Sequence, residues 1–277
     1  MKKNRIASLA AYLGAAAISL VMVFPFLWMI SSSLKPTRDI FAETLRLIPR
    51  RVTFGAYESL RNLAGLPFMT YLWNSLFIVG LSVAVSVAVT SLGAYAMNRK
   101  PRLPGFRLLE NMFIVSMMYP YILLMTPVYV VIYKLGLLGT RAGIILFLAL
   151  GPIQYYLFRE FFSKVPKAII ESAEIDGARE HQIFSSIVAP MAKSVFMTAI
   201  LLTFILNWDN WFPVLVISTS MKTYTLPVAL FNLDSQLEVN FPEIMALSTV
   251  VSIPIMLIFI LTQKKVIAGF AAGGVKG

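Results

Sequence analysis

Residues 159–193 read REFFSKVPKAIIESAEIDGAREHQIFSSIVAPMAK, a polar interlude in an otherwise apolar chain. Pro166 suits a first helical turn. After it, Ala173 and Gly177 stand four apart on one predicted helical face beside Ile169 and Ile170, where small side chains let a second surface come close. Glu171, Glu174 and Asp176 crowd the same helix, and Gly177 breaks it at low cost. The chain then restarts, and Ile183, Phe184, Ile187 and Val188 form an i, i+1, i+4, i+5 stripe; Pro190 ends that helix or joins it to the next apolar segment. The expectation is a helix-turn-helix with an acidic, small-residue tip shaped to dock. An amphipathic connector resting on lipid headgroups is the alternative, but helices of that kind are usually basic toward anionic lipid.

The interlude stands out because its surroundings are so apolar. The 277 residues are 58% hydrophobic and 13% charged, against about 25% charged in a soluble domain, and the mean hydropathy is +0.77. Uncharged blocks approach the ~20 residues that carry a helix across a ~30 Å hydrocarbon layer. Backbone amides cannot go unpaired there, so each block must be helical. Six spans are expected, at about 9–30, 71–97, 109–133, 143–158, 194–217 and 244–261, with an extracytoplasmic loop at 35–70 and the interlude, 159–193, as a cytoplasmic loop. The fold class is all-α and polytopic, a single membrane domain over residues 1–277. Met1 to Arg5 is a basic flank, and the run behind it is too long for a signal-peptide core. Pro120 and Pro127 should bend the third span.

Orientation follows from Lys and Arg. With both termini inside, the inner segments carry 15 of them and the outer segments 9, and six of those nine lie in the long first loop. The short loops, on which the positive-inside rule acts, agree with both termini being cytoplasmic. The net charge of +11 therefore marks topology and lipid contact rather than nucleic acid binding. Zero cysteines exclude thiolate catalysis and Cys-ligated metal. His181, the one histidine, leaves no multi-histidine site and reads as a solvated or interface side chain. No phosphate-cradling GxxxxGK[ST] is present, so any ATP must bind another subunit.

The stretch ESAEIDG, then ten residues from Gly177 to Ile187, then IVAP, resembles the E-A-A-x-x-x-G-x(9)-I-x-L-P signature of ATP-binding-cassette importer permeases. Glu171, Ala173, Gly177, Ile187 and Pro190 match it, while Ser172 and Ala189 depart from it with small residues. WNSLFIV, GAYAMNR, PVYVVIYKLGLLGT and the terminal GGVKG are similar to sugar permeases of the maltose type, the smaller chain in particular. The resemblance implies a type I importer transmembrane domain in a bacterial cytoplasmic membrane. It also implies a second permease chain, two ATPase subunits holding ATP and Mg, an extracytoplasmic solute-binding protein and a carbohydrate cargo. No cofactor is expected in this chain, and no catalysis. By the same resemblance the hairpin sits in a cleft on the ATPase. Glu171 would then make a polar or ionic contact with the ATPase and Ala173 and Gly177 would pack closely, while Ile183, Phe184 and Ile187 hold the hairpin to the membrane helices; Glu174, Asp176 and Pro190 count with them as coupling residues.

For the cargo path, Thr203, Asn207 and Asn210 fall at i, i+4, i+7 on the fifth span, with Trp208, Asp209 and Trp211 adjoining. Amides and aromatic faces suit neutral sugars, and a carboxylate at bilayer depth usually faces a wet interior. Asparagines that glue helices together, and tryptophans of the interfacial belt, remain the alternative. A stand-alone ion-coupled carrier is the competing function, but Asp209 is its one clear ionisable group within a span, and it gives the acidic interlude no role.

Overall fold

The computed structural model describes residues 2–42, 46–100, 104–235 and 240–274. The basic stretch at 98–105 and the terminal GGVKG therefore lie partly outside the described residues, as do positions 43–45 of the first loop. The chain forms two compact units, residues 1–68 with 229–254, and residues 69–228 with 255–277.

In the first unit, helix α1 (Lys2–Ser33) contains the first expected span. From Tyr12 to Leu27 its side chains are exposed, whereas Ser31, Ser32 and Ser33 are buried. The first loop is structured by short helices α2 (Thr37–Ala42) and α3 (Gly55–Ser59) and by a two-residue hairpin, β1 (Asn62–Leu63) with β2 (Leu66–Pro67). Ala64 and Gly65 turn this hairpin with φ of 49° and 82°, the paired positive values of a tight antiparallel turn. The Ser33 and Tyr57 hydroxyls, 2.8 Å apart, tie α1 to α3.

The second unit is built on α4 (Phe68–Arg99), whose buried face carries Asn74, Ile78, Ser82, Ser86, Thr90 and Ala94. These stand four residues apart, and such small or short polar side chains let helix backbones approach closely without a hydrophobic drive from lipid. Ile78 joins Ile132, Ile144, Leu148, Val214, Ile217 and Val228 in one buried cluster. At the other end of α4, Tyr95 meets the rings of Phe162 and Phe184.

Three of the expected spans differ from single helices. The third is α5 (Phe106–Met118) and α6 (Tyr121–Lys134); Pro120 holds Tyr119 extended, at φ −87° and ψ 136°, and so breaks the helix. Pro127 lies inside α6. The fourth is α7 (Arg141–Leu148) and α8 (Pro152–Phe162), bent by 44°. Gly151 sits at that bend because a Cβ there would lie 2.6 Å from Ser86 Oγ. The fifth is α12 (Lys193–Trp208) and α13 (Trp211–Ile217), interrupted at Asp209 and Asn210. After α14 (Leu226–Asp234), α15 (Phe241–Gly274) runs well past the expected end at Leu261. Among the described residues three helices are long and apolar enough to cross a bilayer, or five if each bent pair is one crossing. Helix α6 alone, at 14 residues, reaches only ~21 Å.

Candidate functional site

The interlude folds as α9 (Lys167–Ile175), a turn, α10 (Glu180–Gln182), a π-helical turn over Ile183–Val188, and α11 (Ala189–Met191). Pro166 takes the position just before α9 rather than its first turn. Helix α9 ends at a glycine because of backbone geometry: Gly177 has φ 79°, its N–H donates to Glu174 O, and the Ala178 N–H donates to Ala173 O, both at 3.0 Å. That pair of bonds is the left-handed helix stop that glycine serves at least cost. Gln182 Oε1 accepts from the Arg179 N–H at 2.8 Å and starts α10.

The expected stripe is present: Ile183 and Val188 are buried, and Phe184 and Ile187 are half-buried. It is wound in a π-turn, a geometry found often at functional sites. Pro190 lies in α11, which stops one residue later; there the hairpin joins the fifth span through a 79° bend between Glu180–Met191 and α12, at Ala192, whose ψ is 10°.

The small-residue face expected from Ala173 and Gly177 is divided. Ala173 is buried within this chain together with Ile170, while Gly177 is exposed with open space around it. The four-residue spacing fails because Gly177 lies beyond the helix end, where the backbone turns left-handed. The open surface is Glu171, Ser172, Ile175, Asp176 and Gly177, with the Ile175 side chain 86% exposed among acids.

Glu174 is held. The Arg99 guanidinium, at the end of α4, pairs with Glu174 and also with Glu180, whose Oε1 lies 3.0 Å from Nη2. Tyr95 donates its hydroxyl to Glu180 Oε2 at 2.7 Å, and Asn98 Nδ2 donates to Phe162 O at 3.0 Å. The hydrogen bond from Arg99 holds the Glu180 carboxyl below the usual carboxylate range, against the opposing effect of partial burial. Arg99, Glu180 and Tyr95 were not among the residues expected to act. The signal available for Arg99 was its place at the close of an uncharged run that begins at Asn62.

The second expected site is dispersed. Thr203 is buried and returns its hydroxyl to Ala199 O at 2.6 Å. Asn207 is buried and donates to Ser82 Oγ at 2.9 Å and Leu148 O at 3.0 Å, fastening α12 to α4 and to the end of α7. Trp208 is buried and stacked on Phe204 with ring centres 5.3 Å apart. Asp209 is exposed where α12 stops, Asn210 is half-buried just past it, and Trp211 begins α13. Asn210 therefore leaves the predicted helical stripe. Asn207 and Asn210 do share one cavity of about 440 Å³, walled mainly by apolar side chains such as Leu109, Phe113, Tyr121 and Phe147.

The arrangement is a membrane scaffold with an acidic elbow clamped to one long helix and an open tip beyond the clamp. The family model described as binding-protein-dependent transport system inner membrane component matches residues 80–268. The trehalose transport system permease protein SugB of Mycobacterium tuberculosis is 33% identical over 259 residues, covering 92% of this chain and 93% of that one. The diacetylchitobiose uptake system permease protein DasC of Streptomyces coelicolor is 28% identical, covering all of both chains. A crystal structure of a bacterial ABC transporter involved in the import of the acidic polysaccharide alginate superposes with a TM-score of 0.81 at 25% identity, covering 95% of this chain and 98% of that one. This chain belongs to the family of inner membrane components of binding-protein-dependent transport systems, the multi-pass permease subunits of ABC importers.

Proposed function

We propose that this chain is one half of the translocation pathway of an ATP-driven carbohydrate importer, paired with a second, different permease chain. Two ATPase subunits, carrying ATP and Mg, dock on the cytoplasmic face, and an extracytoplasmic solute-binding protein delivers the cargo. Both termini are cytoplasmic and the chain crosses the membrane six times, with α5 and α6 together making one crossing. The carbohydrate class rests on relatives whose names specify trehalose, diacetylchitobiose and trehalose/maltose. The second permease is supported by α1, whose exposed sides between Tyr12 and Leu27 suit lipid or another helix rather than water.

The observation that carries the reading is the clamped hairpin. Its tip, Glu171, Ile175, Asp176 and Gly177, is open, and its base is fixed by Phe184, Ile187 and the buried Ile183 and Val188. In this reading closure of the ATPase pair moves the tip, and the packed base passes that motion to the membrane helices as a near-rigid body. Thr203, Asn207 and Trp208 shape the pathway wall from behind through their packing. Asn210 offers the amide that meets a sugar hydroxyl, with Asp209 and Trp211 beside it.

Co-purification followed by transport in liposomes tests the reading. The expected result is a complex with an ATPase and a second permease that accumulates a carbohydrate only with ATP and the binding protein. Uptake by this chain alone under an ion gradient would overturn it in favour of a secondary carrier.

A further inference from the structure

Helix α4 is held at both ends by polar clasps. At its end, Arg99 bridges Glu174 on α9 and Glu180 on α10, and Tyr95 adds the 2.7 Å bond to Glu180. Near its start, buried Asn74 donates to Lys222 O at 2.8 Å and Tyr224 O at 2.9 Å and accepts from Arg141 Nε at 3.0 Å. Beside it, Ser75 Oγ accepts from the Leu226 N–H at 2.7 Å. The whole of α4 is 32 residues without a proline, and from Asn74 to Arg99 it gives about 38 Å of continuous backbone ladder between the clasps. The other two long helices, α1 and α15, each contain a proline, a common site of bending.

From this geometry we infer that Arg99 is the positioning residue that joins the hairpin to α4. A displacement of the hairpin is then delivered along α4 to residues 222–226 at its opposite end. An arginine is required because its planar fork reaches two carboxylates on separate elements at once, whereas a lysine ammonium is a point charge on a flexible stem. Its place at the helix C-terminus is also favourable for a cation. The carboxylates belong to the two arms of the hairpin, so the guanidinium closes the elbow as well as attaching it. The edge-on contact of Tyr95 with Phe162 and its tilted contact with Phe184 resist sliding, and the ion pairs resist separation. This inference rests on the proposed function, since it assigns a path to motion that the ATPase supplies.

The test uses the assembled complex in liposomes, with ATP hydrolysis and uptake measured on the same preparation. Arg99→Ala, Glu180→Ala and the double variant are compared, and Arg99→Lys serves if loss of the guanidinium prevents assembly. The expected result is a fall in uptake per ATP hydrolysed of about tenfold in each single variant, within the usual range of coupling between sites, and no further fall in the double. A purely structural role lowers both activities together and leaves the ratio alone. An unchanged ratio in Arg99→Ala or in its lysine substitute, or losses that multiply in the double variant, would overturn the inference. Should the unaltered complex itself lack ATP-driven uptake, the proposed function fails as well, which separates the two failures.

Discussion

The hairpin at 166–191 and the polar segment at 203–211 both place acids and amides inside an apolar chain, yet the two regions spend them differently. In the hairpin the polar groups face outward or toward one arginine, and the apolar stripe is turned in. In the segment on α12, the amide of Asn207 and the hydroxyl of Thr203 are consumed by neighbouring backbone and by Ser82. In water a polar group can be left to solvent. Within a helix bundle at membrane depth it must find an internal partner, and so the same residue types become glue.

The largest effect expected from this contrast is at the open tip. Gly177→Asp should insert and assemble yet lose uptake about tenfold or more, as coupling between sites predicts. Among the described residues, no atom beyond the two chain neighbours lies within 4 Å of a Cβ at that position, so the added side chain points into open space where a partner can dock. Because φ is 79°, part of the effect is backbone strain. Gly177→Asn, which tolerates the left-handed region, separates the two: a docking role predicts that Asn also impairs uptake, and a strain role predicts that it restores it.

Next in size is the base of the hairpin. Phe162 is almost fully buried against Tyr95, Phe158 and Phe184, so Phe162→Ala should cost roughly 3–5 kcal/mol, read as a lowered unfolding midpoint of the purified complex. A change under about 1 kcal/mol would mean the cluster is looser than its ring contacts indicate.

Within the polar segment the contrast sharpens to two neighbours. Asn207→Ala removes two interhelical hydrogen bonds and should lower stability by about 1–2 kcal/mol, at membrane values near 0.6 kcal/mol per bond. Asn210→Ala should leave stability nearly unchanged and weaken uptake of the carbohydrate, measured as a raised half-saturation concentration. The reverse pattern would exchange their roles.

The smallest effect is acid dependence. Glu180 is held below its ordinary value, so its pairing with Arg99 stabilises the native state above about pH 4.3 and is lost as pH falls through the lowered native value. The pair is half exposed on the glutamate side, which limits the contribution to roughly 0.2–1 kcal/mol. The unfolding midpoints of the unaltered chain and Glu180→Gln should differ at neutral pH and converge on acidification.

How much of this was legible in the sequence differs by region. The hairpin could be read because its signals are local: a proline before α9, a glycine after it and an apolar stripe behind. The long helices were legible from hydropathy, but their breaks at Tyr119, Gly151 and Asp209 were less so, because a kink and a full interruption leave similar residues behind. The close approach of Ser86 to Gly151 is a property of two segments far apart in sequence. The Arg99 clamp was hidden for the same reason. The four-residue repeat from Asn74 to Ala94 was there to be read and marks the buried face of α4.

Ile175 offers the most direct measurement. The chain has no cysteine, so Ile175→Cys introduces a single thiol at a side chain that is 86% exposed. Treated with a short bifunctional thiol–amine reagent in membranes, the assembled complex should yield an adduct between this chain and the ATPase subunit, in an amount that changes when ATP is added. Labelling of that cysteine by a membrane-impermeant reagent from outside intact cells, with no ATPase adduct, would contradict the account.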